Sequence, residues 1–181
     1  VIRTQTLRRL GAVAACASLM ALAACASPSR PEFMTVPTTA GLTASPGDVG
    51  YHSVTTVNVA GGHETNPLWT AQVSDADFKA ALEASLTAAG YMGTEGAPLV
   101  VTATMIDLKQ PLAGFDMSVT SQIQYSVTRG DQVIFADTVS ATGTATVGQA
   151  FAAVERLRLA NEKSVQENIK EFLKRFRANA R

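Results

Sequence analysis

Two histidines, two cysteines and a scatter of carboxylates could do chemistry in this chain, and their spacing argues against most of it. His63-Glu64 opens like a zinc signature in which a second His, four residues on, shares a helix face; position 67 is Pro instead. His52 is the other histidine, and two histidines cannot complete a tetrahedral zinc shell without several carboxylates. No metal and no cofactor are therefore expected. Asp75 and Asp77 could pair as general acid and base, but they fall in the first turn of a predicted helix, where negative charge meets exposed N–H groups. They read as caps. No Ser lies in a Gly-x-Ser-x-Gly elbow, and no six-residue repeat of the acyltransferase kind is visible. The chain reads as a non-enzyme; an enzymatic alternative would use His63 and nearby acids in the loop from Gly61 to Trp69. A Gly-rich connector with Trp69 covering the core is the plainer role for that loop.

Two other features could meet a partner. Leu112-Ala113-Gly114-Phe115 is an apolar loop with an aromatic tip. Phe115 either contacts a partner or, as more such residues do, tucks back over the core. Residues 117–128 alternate, with Met117, Val119, Ile123, Tyr125 and Val127 on one face and Ser118, Thr120, Gln122, Gln124, Ser126 and Thr128 on the other. Such an uncharged, hydroxyl- and amide-rich face can hydrogen-bond glycans or stack on another subunit, although a solvated sheet face is the commoner use. His63, Trp69 and Phe115 are the candidate partner surface.

The N-terminal segment carries the sharpest signal. Arg3, Arg8 and Arg9 precede the apolar run from Leu10 to Ala24, about 15 residues where a spanning helix needs about 20. These are the proportions of a signal peptide. It ends in Leu22-Ala23-Ala24-Cys25, which resembles the lipobox of bacterial lipoproteins. The small residues suit a protease cleft that must admit the backbone on both sides of the bond. The resemblance implies cleavage between Ala24 and Cys25, diacylglycerol on the Cys25 sulfur, and a further acyl chain such as palmitate on the new amino group. Two or more chains hold a membrane stably where one does not. Ala26 and Ser27 follow without the Asp that signals retention, implying delivery to the outer membrane with the domain facing the periplasm. The alternative is an ordinary signal peptide cut after Ala24 or Ala26, with Cys25 incidental. Val1 in place of Met reads as an alternative start codon.

Charge and cysteine use agree with an exported module. The chain has 15 basic and 15 acidic residues; without the three N-terminal arginines, 12 basic residues remain, a net charge of about −3. No clustered basic face points to nucleic acid. Cys16 falls in the removed segment and Cys25 is acylated, so no disulfide is expected and packing alone must hold the fold.

Residues 25–50 comprise the acylated cysteine and a stretch rich in Pro, Ser, Thr, Gly and Ala, which reads as a flexible tether of roughly 25–30 Å, or roughly 75 Å extended. Phe33 and Met34 are its exceptions. Residues 51–181 then form one domain. A strand is expected over 51–59. A helix capped by Ser74, stapled by Val73 and Phe78 and closed by Gly90 carries the stripe Phe78, Leu82, Leu86 and Ala89. Strands follow over 99–108 and 117–128. After the turn Arg129-Gly130-Asp131, another sets Val139, Ala141, Ala145 and Val147 against Thr138, Ser140, Thr142, Thr144 and Thr146, with a bulge expected near Ala136-Asp137. A helix over about 150–177 should bury Val154, Leu157, Val165, Ile169, Phe172, Leu173 and Phe176, with Glu155, Arg158, Glu162, Lys170 and Lys174 outside. The order β-α-β-β-β-α predicts an α+β two-layer sandwich: a largely antiparallel sheet, both helices on one face.

Lipobox, tether and this element order resemble YajG-type small envelope lipoproteins and, more loosely, the lipopolysaccharide-assembly lipoprotein and the auxiliary lipoproteins of lipid transporters. The resemblance implies an accessory binding module for an envelope protein, lipid or glycan. The alternatives are an envelope enzyme and a purely structural lipoprotein.

Overall fold

The computed structural model describes residues 26–39, 41–68 and 70–179. Ala24, Cys25 and the rest of the lipobox, and also Trp69, lie outside the described residues. A short helix α1 (Pro31–Met34) comes first, then strand β1 (Val54–Ala60), helix α2 (Asp75–Ala88), strands β2 (Leu99–Lys109), β3 (Met117–Arg129) and β4 (Gln132–Ala145), and helix α3 (Ala153–Asn179). Among the described residues the strands form one sheet in the order β1-β2-β3-β4. β1 and β2 are parallel, joined through α2, and the other neighbours are antiparallel. This is the expected α+β arrangement with α1 added.

Local chemistry explains the elements. Ser74 caps α2: its hydroxyl accepts from the Asp77 N–H at 3.1 Å and donates to the Asp77 carboxylate at 2.7 Å. Val73 before the cap and Phe78 in the first turn are both fully buried, as a hydrophobic staple requires. At the other end Gly90 takes φ +76°, while the Gly90 and Tyr91 N–H groups donate to the carbonyls of Thr87 and Leu86. That pair of bonds satisfies carbonyls the helix leaves over. In β3 alternate side chains are buried from Met117 through Val127 and the others face outward. The inward residues of the strands meet Phe78, Leu82 and Leu86 of α2 and Val165, Ile169 and Phe172 of α3 in one core. Each such side chain contributes about 1.5–3 kcal/mol when fully buried. Tyr125 stacks on Phe172 with ring centres 4.1 Å apart, and Phe172 continues to Phe176.

Four expectations need correction. Residues 26–50 do not behave as a tether where described: Ala26, Met34, Val36, Leu42 and Ala44 are buried, and the last four join the main core. Composition underestimated this strap because a few apolar residues suffice once a groove between α2 and α3 receives them. The irregularity in β4 falls at Ile134, between the pairs Val127–Phe135 and Thr128–Val133, not near Ala136-Asp137. Val147 lies beyond the end of β4 and is 40% exposed. Arg158 and Glu162, expected on the outer side of α3, are buried, because the strap covers the side of that helix turned away from the sheet.

α3 sits directly on the backbone of β3 and β4. A Cβ atom at Gly143 would lie 2.3 Å from the Ser164 nitrogen and 2.6 Å from the Ala160 oxygen. Small polar side chains fill the seam. Ser164 Oγ accepts from the Ser121 N–H at 2.8 Å and donates to the Ala141 carbonyl at 3.1 Å. The Asn168 amide donates to the Val139 carbonyl at 2.9 Å and accepts from the Tyr125 hydroxyl at 3.0 Å. Burial pushes the Tyr125 phenol well above its usual range.

Two predictions follow from this packing. Gly143→Ala would drive a Cβ into the backbone of α3 and should cost about 3 kcal/mol or more in urea denaturation; a loss below about 1 kcal/mol would mean that α3 can lift away freely. Tyr91 is buried, and its hydroxyl has no partner among the described residues. Burial raises its pKa to about 12, against the attraction of Arg177 and with help from Asp48. The folded state then holds a proton that the unfolded chain releases from about pH 10 upward, so Tyr91 alone should lower stability by roughly 2 kcal/mol between pH 10 and 12, beside a further loss from buried Tyr125. Tyr91→Phe should remove that portion of the loss and leave stability at pH 7 unchanged or higher.

Candidate functional site

The register places three connections at one end of the sandwich. β1 and β2 run parallel and leave the sheet there, β3 starts there at Met117, and β4 ends there at Ala145, opposite Met117. Loops 61–74, 110–116 and 146–152 therefore share this end with the first turn of α3.

Loop 61–74 is built by its own polar groups. The Gly62 N–H donates to the Asp75 carboxylate at 2.7 Å, and the His63 N–H to the Val73 carbonyl at 2.9 Å. Asn66 and Thr70 exchange backbone hydrogen bonds, and the Asn66 side chain accepts from the Leu68 N–H at 3.0 Å, closing a tight tip. Leu68 on that tip is 77% exposed. His63 is exposed and lines, with Gln72, Ile106 and Asp107, a depression of about 200 Å³. Among the described residues no three His, Cys, Asp or Glu side chains converge as metal ligands would. Asp75 and Asp77 serve the helix start and the Gly62 amide.

The loops are cross-tied. The Gln110 amide donates to the Ala71 carbonyl at 2.8 Å and to the Asn161 side chain at 2.9 Å, and Asn161 donates to the same carbonyl. The Arg156 guanidinium donates to the carbonyls of Ala150, Phe151 and Gly114. These ties hold the chain outward at Phe115, which is 88% exposed and does not fold back over the core. His63 and Phe115 thus lie at the same end of the molecule.

The strap reaches this end too. The Ala26 N–H donates to the Pro67 carbonyl at 2.8 Å and the Ser29 N–H to the Gln72 carbonyl at 3.2 Å. Further along, the Arg30 N–H donates to the Glu162 carboxylate at 2.9 Å. Glu162 also pairs with Arg158, which reaches Glu155 on its other side. Hydrogen bonding to the Arg158 guanidinium holds the Glu155 carboxyl below its usual range against the opposing effect of burial; the same contact raises Arg158. This buried cluster was not anticipated from the sequence, although the spacing Glu155, Arg158, Glu162 is that of helical ion pairs.

No family model matches the chain, and no curated protein matches it. Its fold is similar to that of a Xanthomonas campestris protein of the DUF330 family, at a TM-score of 0.57 and 11% identity over 85% of this chain and 96% of that one. It is also similar to PelC from Paraburkholderia phytofirmans, which was solved as a dodecamer, at 0.50 and 15% identity over 77% and 96%. A minor lipoprotein from Acinetobacter baumannii superposes more loosely, at 0.45 and 12% identity over 71% and 92%. At these identities the likeness is one of fold. Among the described residues no helix is long and apolar enough to cross a membrane.

Glu162→Ala removes the acceptor of the Arg30 amide and one partner of buried Arg158. It should cost roughly 2–4 kcal/mol, with Glu155 retaining part of the ion pair. Hydrogen exchange should speed up at Arg30 and its neighbours before it does in β3; uniform acceleration would show that the strap is no separate unit.

Proposed function

We propose that this chain is a lipid-anchored protein of a bacterial cell envelope, attached through Cys25, that acts as a non-catalytic accessory module for an envelope protein, lipid or glycan. Outer-membrane placement with the domain facing the periplasm is part of the same reading. The observation that carries it is the position of Ala26. This residue follows the lipobox cysteine, is buried, and is hydrogen-bonded to the Pro67 carbonyl at 2.8 Å. The point of attachment is thereby tied to the loop end, and the domain is held near the bilayer with little slack. The polar loop contacts around His63 support a structural connector there, because its backbone groups are occupied in shaping the tip and Asp75 is engaged with Gly62.

Mass spectrometry of the protein from membranes should find an N-terminal Cys25 carrying diacylglycerol and a further acyl chain. Cys25→Ser should abolish that acylation, and an unmodified Cys25 thiol would refute the anchor. Photo-crosslinking from Phe115 in intact cells should capture an envelope component. His63→Ala with Glu64→Ala should leave that capture unchanged, whereas its loss would favour a loop with its own chemistry.

A further inference from the structure

The four most exposed large apolar side chains among the described residues all lie at the loop end: Leu112, Phe151, Phe115 and Leu68, at 106%, 94%, 88% and 77%. The next, Val133, is 57% exposed and lies at the start of β4, at the far end of the sheet. Scattered exposed apolar residues are ordinary on any surface, but a cluster of the most exposed ones marks a contact. Arg156 binds carbonyls on both sides of the gap between the Phe115 and Phe151 loops, so those two tips are held as a pair. The Ala26 amide fixes the strap to the Leu68 tip.

From this convergence we infer that the loop end is a second membrane-binding element, in which Leu68, Leu112, Phe115 and Phe151 enter the interfacial region of the bilayer beside the anchor. The inference deepens the proposed function and rests on its reading of Cys25 for the choice of bilayer over protein as occupant. The chain enters the described fold at this end, at Ala26, so acyl chains on the preceding residue would bring these tips to the lipid surface. Aromatic and leucine side chains at a membrane interface bind through buried apolar area. Loops 61–73, 110–116 and 146–152 carry Glu64 and Asp116 and no Lys or Arg, so attraction to anionic lipid is not the driving force. The opposite end differs in kind, with Asp48, Glu95 and Asp131 in its turns and Arg129 closing β3.

The test has two arms. In the first, the full chain isolated from bacterial membranes is reconstituted into phosphatidylcholine vesicles with a nitroxide on Leu112→Cys, Phe151→Cys or, at the far end, Thr94→Cys. The loop labels should show the oxygen-rich, nickel-poor exposure of the acyl region, and the Thr94 label that of water. Loop labels that read as water, or as immobilised and shielded from both relaxants by protein, overturn the inference. In the second arm, chains beginning at Ala26, where the described fold starts, and so lacking both the apolar run 10–24 and an anchor, are mixed with the same vesicles. Adding Leu112→Ser, Phe115→Ser and Phe151→Ser should lower partitioning at least tenfold, with little effect of salt. Equal partitioning with and without the tips overturns the insertion, whatever Cys25 carries. Tip-dependent binding by a chain whose Cys25 proves unmodified would sink the anchor and leave insertion standing.

Discussion

At Gly143 the backbone of β4 comes so near α3 that there is no room for a side chain: the Ser164 nitrogen would be 2.3 Å from a Cβ atom. Close-packed interiors transmit such constraints because neighbouring groups have nowhere to yield. With a larger residue at 143 the helix would have to lift off. The Ser121 amide and the Ala141 carbonyl would then lose the Ser164 hydroxyl that serves both. Buried polar groups left unpaired cost more than a net hydrogen bond contributes, so the seam is satisfied as a unit or not at all. Ser164 and Asn168 of α3 therefore fix the height and rotation of the helix over the sheet more sharply than its phenylalanines can.

That rotation decides what the first turns of α3 can reach. With Ser164 and Asn168 turned to the sheet, Arg156 and Asn161 point to the loops, and Glu162 points to the strap. One helix thus seats the sheet, ties the connections at one end and receives the N-terminal segment. Arg156 and Asn161 act through directed hydrogen bonds to main-chain carbonyls, which position loops without adding apolar cover. The result is a rigid base beneath exposed tips, the arrangement in which a surface patch keeps its shape for contact.

Much of the sandwich was legible because it rests on short-range rules. Ser74, Phe78 and Gly90 announce a helix by capping chemistry, and the alternation from Met117 to Val127 announces a strand with one wet face. The strap was not legible, because its residues 26–50 carry linker composition and are ordered by partners far along the chain. Arg158 and Glu162 misled for the same reason: periodicity places them on a solvent face only when nothing covers that face. The candidate site was half legible. Phe115 was marked by its apolar loop, but its neighbourhood with Leu68 and Phe151 depends on strand order, and Phe151 gives no local signal at all. Cys25, the clearest motif, is read from residues 22–25 and owes nothing to the fold.

The partners of the strap set an order in time. Val36 needs Ser85 of α2, whereas Arg30 needs Glu162 and the Thr35 carbonyl receives the Gln166 amide, so residues 30–35 cannot settle until α3 exists. Synthesis at about 5–20 residues per second makes them on the order of ten seconds before their partners. What is made first is therefore among the last to find its place. During that interval the Arg30 amide and the Thr35 carbonyl lack the α3 side chains that hold them, and the arrival of the C-terminal helix completes the docking of the strap.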